Sequence, residues 1–293
     1  MEELRDLKEQ LNDALIQSGK VAREDFLFNP SFAYLGGQKY VFTLRRVCGV
    51  SLIRTQIIFE VEINEDHGLE SIGNFQELSE IHGNIIRDLK FGIAGNQTFA
   101  TWNTGHPTNP RLSNQVFVSP YPNLPDISIA GWSRRSRIEK NWGFFQHDQN
   151  FFCIYSLSPL VLLSSTDKIG DARLIFDVFS SSRRMRIFGR ALSIGSQPIR
   201  EGENLILTAH LKPRFFKFRL YFPLLVTLNL INLRYTIEFL WFPRKGLSFR
   251  RSRLNPFAFA VNYASGFAPC RKGYLMGMGV ADEDYKLFLL AKA

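Results

Sequence analysis

The chain has 293 residues, 45% of them hydrophobic and 22% charged, which is the composition of a globular protein with one large or two smaller domains. Lys and Arg outnumber Asp and Glu by 36 to 27, and the net charge of +9 favours anionic partners such as nucleotide-sugars, phosphorylated glycans, nucleic acid or an acidic membrane face. Cys48, Cys153 and Cys270 are too few and too scattered for a disulfide framework or a zinc site, and they favour free thiols in a reducing, cytoplasmic compartment.

The first predicted element is a helix within residues 1–22. Four leucines recur there at helical spacing, namely Leu4, Leu7, Leu11 and Leu15. Such a stripe can cap the edge of a larger domain, or it can form a short docking helix through which copies of the chain associate. Capping is favoured, because a single stripe this short makes a weak coiled coil. We therefore predict an N-terminal helix over residues 1–22 and one domain over residues 23–293.

From Phe26 onward the pattern is that of β-structure, and the 27 Phe residues suit pleated, half-buried surfaces. One apolar stretch, residues 220–233, raises the question of a membrane span. It has only 14 residues without charge, whereas a helical span needs about 20 apolar residues. Two core strands joined by a turn explain it better, so the sequence predicts no transmembrane segment.

One short pattern recurs five times along the chain: small or polar residues, an apolar stretch, a Gly/Asn turn and a second apolar strand. The copies cover residues 29–44, 87–102, 139–155, 195–210 and 264–279. They start roughly 50 to 70 residues apart, which is the spacing of propeller blades. We therefore predict an all-β fold, a five-bladed β-propeller with a short N-terminal α-helix, in which five polar motifs meet at one central pocket.

The third copy contains a more specific motif. Glu139-Lys140-Asn141-Trp142 is followed, after a hairpin, by Ile-Tyr-Ser-Leu-Ser-Pro-Leu at residues 154–160. This pair resembles the third-blade signature of five-bladed carbohydrate-active propellers: the family 130 glycoside phosphorylases, related mannosyltransferases and propellers of bacterial glycan synthesis, with family 43 and 32 glycosidases in the wider clan. The resemblance covers residues 26–290, and weaker motifs in the other four copies support it in the same order.

The resemblance implies a site in the central channel. Making or breaking a glycosidic bond needs a proton donor or acceptor at the bridging oxygen. Asp88 matches the position of the general acid in the phosphorylases, and Glu139 is the second carboxylate that this architecture directs at the channel. Lys140 matches a lysine that helps to hold phosphate. The other expected substrate-binding residues are Asn29, Arg45, Arg46, Lys90, Arg137, Tyr155, Ser196, Gln197, His210, Ser265 and Asp282. No metal and no cofactor are expected, because no His or Cys lies at metal-ligand spacing and no nucleotide-binding motif is present.

Three departures from the family pattern bear on the reaction. Arg87 stands where the family commonly has Glu, and Lys90 where it has Arg. Asn29 stands where family 32 and 43 hydrolases carry an Asp. The sequence therefore favours glycosyl transfer from a phosphate-bearing donor, such as a nucleotide-sugar, in glycan assembly. A glycoside phosphorylase or hydrolase is the alternative enzyme, and a non-catalytic glycan-binding propeller is the alternative of another class. Nucleic-acid binding is not predicted, since no basic stripe with interleaved aromatic residues is evident.

Overall fold

The computed structural model describes residues 1–64, 66–107, 109, 111–139, 141–182, 192–215, 218–240, 253–254 and 261–292. Over these residues the chain forms a five-bladed β-propeller with one helix, α1 (Arg5–Gln17), which confirms the predicted fold. The strands in chain order are β1 (Glu2–Glu3), β2 (Phe26–Gly36), β3 (Lys39–Val47), β4 (Arg54–Ile63), β5 (Leu69–Leu78), β6 (Glu80–Ile81), β7 (Asn84–Ile85), β8 (Arg87–Ala94), β9 (Gln97–Asn103), β10 (Val116–Pro120), β11 (Ser128–Gly131), β12 (Gly143–His147), β13 (Asn150–Leu157), β14 (Leu160–Ser165), β15 (Arg173–Ile175), β16 (Asp177–Ser182), β17 (Leu192–Ile194), β18 (Ile199–Glu201), β19 (Asn204–Leu211), β20 (Arg214–Phe215), β21 (Phe218–Arg219), β22 (Phe222–Asn229), β23 (Tyr235–Phe239), β24 (Asn262–Cys270), β25 (Gly273–Val280) and β26 (Asp284–Ala291).

Each blade is mainly an antiparallel sheet of consecutive strands. Blade 1 has the order β2-β3-β4-β5, and blade 2 contains β8 to β11. Blade 3 consists of β12, β13, β14 and β16; blade 4 is built on β17, β18, β19, β22 and β23; blade 5 contains β24, β25 and β26. The five sequence copies coincide with the inner strands of the five blades and the strands that follow them. In the first copy, for example, β2 pairs with β3 from Phe26↔Val47 to Gly36↔Lys39.

Two strands pair with a blade that is not formed by their neighbours in the chain. The short β15 lies in the chain between two strands of blade 3, yet it pairs in parallel with β11 at the edge of blade 2. At the other end of the chain order, β1 pairs antiparallel with β26 and so completes blade 5. The N-terminal segment predicted as a helix, residues 1–22, thus also contains a short strand that belongs to a propeller sheet.

The apolar stripe of α1 is covered by the same chain. Leu7, Leu11 and Leu15 are buried in a cluster with core residues of blades 1 and 5, including Phe42 and Leu275. The helix therefore caps the seam between these blades. The alternative, association of copies through this stripe, finds no support, because its leucines are already buried.

Buried polar groups join neighbouring blades at four seams. Phe91 N donates to Ser31 Oγ (3.1 Å) between blades 1 and 2, and Thr208 Oγ1 donates to the carbonyl of Ala264 (3.0 Å) between blades 4 and 5. Gln197 bridges blades 4 and 3: its Oε1 accepts from Phe144 N (2.8 Å), and its Nε2 donates to Trp142 O (3.0 Å). Ser265 Oγ donates to the carbonyl of Pro30 (2.7 Å) and joins blade 5 to blade 1. Because a buried polar group without a partner is costly, these bonds fix how the blades meet.

The apolar stretch at residues 220–233 contains one strand, β22, and the turn towards β23. The second strand that was predicted within this stretch begins only at Tyr235. Within the described residues, no helix has the length and apolar character needed to cross a membrane.

Candidate active site

The inner strands of the blades begin around a cavity of about 700 Å³, which we call the channel mouth. Residues from all five blades line it: Asn29, Arg45, Asp88, His106, Ser136, Glu139, Asn141, Tyr155, Ser193, His210, Lys212, Tyr221, Tyr263 and Asp282, with several further side chains. The structure thus brings together seven of the residues that the sequence assigned to the site, namely Asn29, Arg45, Asp88, Glu139, Tyr155, His210 and Asp282.

Four residues of the mouth have a left-handed backbone. The φ angles of Asn29, Asp88, Asn141 and Asp282 are 52°, 53°, 61° and 56°. Asn and Asp adopt this conformation more readily than other non-glycine residues. At Asn29 and Asp88 the inner strand also carries a bulge, since the register with the next strand shifts between Phe28 and Ser31 and between Arg87 and Lys90. A bulge re-aims a side chain, which explains how residues on pleated strands are directed at the mouth.

Asp88 forms an ion pair with Arg45, whose Nη2 donates to Asp88 Oδ1. The two side chains are 19% and 14% exposed, so the pair is partly shielded from water. Asn103 Nδ2 makes a longer contact of 3.4 Å with Asp88 Oδ2. A guanidinium beside a carboxylate forms a charge-assisted hydrogen bond, and here the pair lies at the wall of the cavity.

Further basic groups surround this pair. Lys90 is only 3% exposed and lies beneath the mouth, with Asp88, Asn141 and Trp142 around it. Burial lowers the pKa of Lys90 to about 7, with Lys212 acting in the same direction and Asp88 in the opposite one. Burial also lowers the pKa of Arg87, assisted by the nearby charge of Arg45. This concentration of cationic groups around one carboxylate suits an anionic ligand.

Glu139 is held much more tightly than Asp88. Trp142 Nε1 donates to its Oε2 (2.9 Å), and Tyr155 Oη (2.7 Å) and the backbone N–H of Ser136 donate to its Oε1. Asn114 brackets the backbone of Glu139 with two bonds of 2.7 Å. Burial, together with the bond to Glu139, raises the pKa of Tyr155. Glu139 therefore orients the wall of the mouth, and both of its oxygens are already engaged.

Three polar atoms at this wall are buried without a partner among the described residues: Asn29 Oδ1, Arg45 Nε and His210 Nδ1. His210 is 1% exposed, and its ring packs against Tyr263 (centroids 4.6 Å apart) and Tyr221 (5.3 Å). Burial lowers the pKa of His210 well below its usual range, so the imidazole is neutral. Unsatisfied buried polar atoms are rare in folded proteins, and a cluster of them is typical of a site that completes its hydrogen bonds with a ligand or water.

Other expected binding residues do not line the mouth. Arg46 is engaged by Asp25 (2.7 Å) and Glu77 (2.8 Å), beyond the wall. Ser196 Oγ accepts from Thr208 N (3.0 Å), and Gln197 and Ser265 form the seam bonds given above. Arg137 is exposed outside the lining, and Lys140 lies outside the described residues. The side chains of Gln197 and Ser265 join neighbouring blades, whereas that of Ser196 bonds within blade 4.

Several residues at the mouth were not foreseen as site residues, among them His106, Ser136, Asn141, Ser193, Lys212, Tyr221 and Tyr263. Asn141 belongs to the Glu-Lys-Asn-Trp motif, and Tyr263 directly precedes the fifth copy, so their positions in the sequence were an available signal. His106, Lys212 and Tyr221 lie in connections between strands, where no periodic pattern marks them.

No protein-family model and no curated protein matches this sequence. Among solved structures, a glycosyl hydrolase from Bacteroides ovatus is similar, with a TM-score of 0.61 and 12% identity over 90% of this chain and 83% of that chain. A β-1,2-mannobiose phosphorylase from Listeria innocua, in complex with β-1,2-mannobiose, has a TM-score of 0.59 and 12% identity over 91% of this chain and 90% of that one. The mannose phosphorylase MPT-4 from Leishmania mexicana, in complex with a phosphate ion, has a TM-score of 0.54 and 11% identity over 97% and 92%. At these identities the similarity shows the shared propeller fold, in agreement with the resemblance in the sequence motifs.

Proposed function

We propose that this protein transfers a glycosyl group between a phosphate-bearing donor and a hydroxyl acceptor at the channel mouth, with Asp88 acting on the proton of the bridging oxygen. The observation that carries this proposal is the Asp88–Arg45 ion pair at the wall of the cavity, surrounded by further basic groups.

The charges fit both directions of one reaction. In synthesis, the acceptor oxygen attacks the anomeric carbon, the bond to the phosphate oxygen breaks, and its electron pair leaves with the phosphate. The acceptor proton passes to the Asp88 carboxylate, which is paired with Arg45. In phosphorolysis, protonated Asp88 returns that proton to the bridging oxygen while phosphate attacks the anomeric carbon. In the direction of synthesis, the departing phosphate is stable as an anion, so its departure requires no second acid.

The groups around Asp88 support an anionic ligand. The guanidinium of Arg45 can bind phosphate oxygens as a fork, and Lys212 at the same wall adds charge. The phosphate ion bound to the Leishmania mexicana mannose phosphorylase, and the phosphorylase from Listeria innocua, are consistent with phosphate chemistry in this fold.

Hydrolysis is less favoured by the geometry. An inverting hydrolase needs a second carboxylate to activate water, and a retaining one needs it as a nucleophile. Glu139 is 4% exposed, with both oxygens engaged, and Asn29 carries no carboxylate. Among the described residues of the lining, this leaves Asp282 as the one further carboxylate besides Asp88.

The test is to incubate the protein with glycosyl phosphates or nucleotide-sugars plus acceptor sugars, and separately with oligosaccharides plus inorganic phosphate, and to separate the products by chromatography. We expect turnover with a phosphate-bearing donor, and a loss of about 100-fold or more in Asp88→Asn. Asp148→Asn is the matched control, because Asp148 is also left-handed (φ 52°) but lies on an exposed hairpin tip. Unchanged turnover in Asp88→Asn would overturn the assignment. Glycan binding without turnover on any of these substrates would favour a non-catalytic glycan-binding propeller.

A further inference from the structure

Asn141 is the point at which three blades meet in the channel mouth. It precedes β12 of blade 3 with a left-handed backbone, and it lines the cavity. Its Oδ1 accepts two hydrogen bonds, one from Lys90 Nζ on β8 (2.9 Å) and one from Tyr263 Oη on β24 (3.0 Å). The orientation of one amide is thus set jointly by blades 2 and 5.

These two donors decide which end of the amide faces the ligand. A lysine ammonium donates only, so the atom it contacts must be the oxygen of Asn141. The other end is then the Nδ2 group, which has no hydrogen-bond partner within the described part of the chain. Since Asn141 lines the mouth, its N–H groups are available to an acceptor in the cavity.

We propose that Asn141 is a ligand-binding residue whose Nδ2 donates to a phosphate oxygen in the mouth, and that Lys90 and Tyr263 are positioning residues that act through it. This inference rests on the proposed function, in that a phosphate group occupies the mouth. It adds the residue that recognises the anion from blade 3, and it gives the buried lysine a part in binding.

Lys90 reinforces this donor without touching the ligand. It is almost completely buried and is not part of the lining of the mouth, and its Nζ lies 5.4 Å from the centre of the Tyr263 ring, where a cation is stabilised by the aromatic face. A positive charge on one end of an amide draws electron density from the other and strengthens its N–H donors. Charge from a buried lysine therefore reaches the ligand through the amide of Asn141.

This arrangement makes phosphate affinity depend on the protonation of Lys90. The titratable groups that face it are Asp88 on its own strand, His210 and Lys212 at the end of β19, and Tyr263 on β24. Lys90 has a lowered pKa of about 7, so its charge is complete below that pH and is lost as the pH rises through it. His210 stays neutral over this range because burial lowers its pKa. We expect phosphate to bind more weakly as the pH rises through about 7.

The experiment is calorimetric titration with inorganic phosphate at pH 6 and pH 8.5. Lys90→Arg keeps a permanent charge at this position, so the ratio of wild-type to Lys90→Arg affinity cancels the titration of phosphate itself. We expect this ratio to fall by several-fold between the two pH values, and Lys90→Met to bind weakly at both. Asn141→Asp replaces the donor with a carboxylate oxygen, and it should lose about tenfold or more in affinity at pH 6.

The matched control is Asn74→Asp, because Asn74 is also left-handed (φ 53°) but lies on the outer strand β5, where it bonds Glu60. It should bind phosphate as the wild type does. Tyr263→Phe removes one of the two donors to Asn141 with little change of shape. We expect this variant to bind phosphate several-fold more weakly, and it provides the test if Asn141→Asp does not fold.

The outcomes separate this inference from the proposed function. Wild-type phosphate affinity in Asn141→Asp or Tyr263→Phe would overturn the role of Asn141 and leave the role of Asp88 standing. Loss of phosphate binding in these variants, in a protein that turns over no phosphate-bearing donor, would uphold this inference and overturn the proposed function. A wild-type protein that binds no phosphate at either pH would overturn both.

Discussion

Asp88 and Arg45 come from different blades and are 43 positions apart, and their contact is what gives the channel mouth its chemical character. Arg45 also lies 5.6 Å from the centre of the Phe28 ring, which supports the guanidinium from behind. Arg45 thus bonds to the Asp88 carboxylate, packs against the Phe28 ring and, as we propose, also binds a phosphate.

Replacing Arg45 tests this combination. We expect Arg45→Met to weaken phosphate binding by about tenfold or more, because a charged hydrogen bond to the anion is lost. Arg45→Lys should recover only part of the affinity, since an ammonium cannot form the two parallel bonds of a guanidinium. Phosphate titration measures both, with Arg200→Met as control because Arg200 is an exposed residue at the opposite end of the channel. Equal affinity in Arg45→Met and the wild type would argue against an anion at this wall.

Much of the site at this scale could be assigned from the sequence. The order of the motifs was sufficient to place Asn29 and Asp88 at one pocket, because both lie near the start of an inner strand. Asp282, in the turn between β25 and β26, was assigned there by the resemblance of the closing blade. The direction of each side chain was not available in the same way. Gln197 and Ser265 occupy motif positions, yet they satisfy backbone groups of neighbouring blades instead of facing the cavity.

The contacts of Lys90 could not be predicted from the sequence either. Its bond to Asn141 depends on a strand bulge between Arg87 and Lys90 and on a left-handed residue 51 positions away. Neither the bulge nor the backbone conformation follows from the local residue pattern.

At the scale of single elements, the inner strands are fixed to one another by a few buried polar bonds. Two side chains of blade 4 bond to the backbone of blade 3. Gln197, which is 3% exposed, bonds to both a backbone N–H and a carbonyl, and Tyr235 Oη donates to the carbonyl of Leu157 (2.6 Å). The segment leading from Asn141 into β12 is therefore held at its start by a residue of the next blade.

Gln197→Leu should destabilise the fold by about 2–4 kcal/mol, because it leaves the buried groups Phe144 N and Trp142 O without a partner. Urea unfolding measures the change through the midpoint of the transition. Gln38→Leu is the control, since Gln38 is exposed in the β2–β3 turn and should change stability by less than about 0.5 kcal/mol. A Gln197→Leu midpoint equal to that of the wild type would show that water replaces the lost bonds.

At the scale of the whole molecule, the ring closes where blade 5 meets blade 1. Glycines allow this close approach: a Cβ on Gly277 would lie 2.8 Å from the Phe32 ring, and one on Gly279 would collide with the side-chain oxygen of Asn29. The contact at Gly277 lies within the seam, whereas the contact at Gly279 involves a residue that lines the mouth.

The two glycines should therefore respond differently to substitution. We expect Gly277→Ala to lower stability by about 1–3 kcal/mol while ligand affinity is kept. Gly279→Ala should lower both, because Asn29 must move from its place at the wall. Gly73→Ala is the matched control, as no atom lies within 4 Å of the added carbon. Denaturant unfolding and phosphate titration together separate the three variants, and equal behaviour of Gly277→Ala and Gly279→Ala would contradict this division.

The pairing of β15 with blade 2, although the chain makes it between two strands of blade 3, also affects the order in which the blades can form during synthesis. Residues 128–131 leave the ribosome as the outer edge of blade 2, but their parallel partner at residues 173–175 follows only after three strands of blade 3 have been made. Until then the edge has unsatisfied N–H and C=O groups, which is the state most exposed to pairing with another chain. The pairing of β1 is delayed further, because its partner β26 is the last strand to be synthesised. A nascent chain can therefore complete blade 1 on its own, whereas blade 2 becomes complete only together with blade 3, and blade 5 only when translation has passed residue 289.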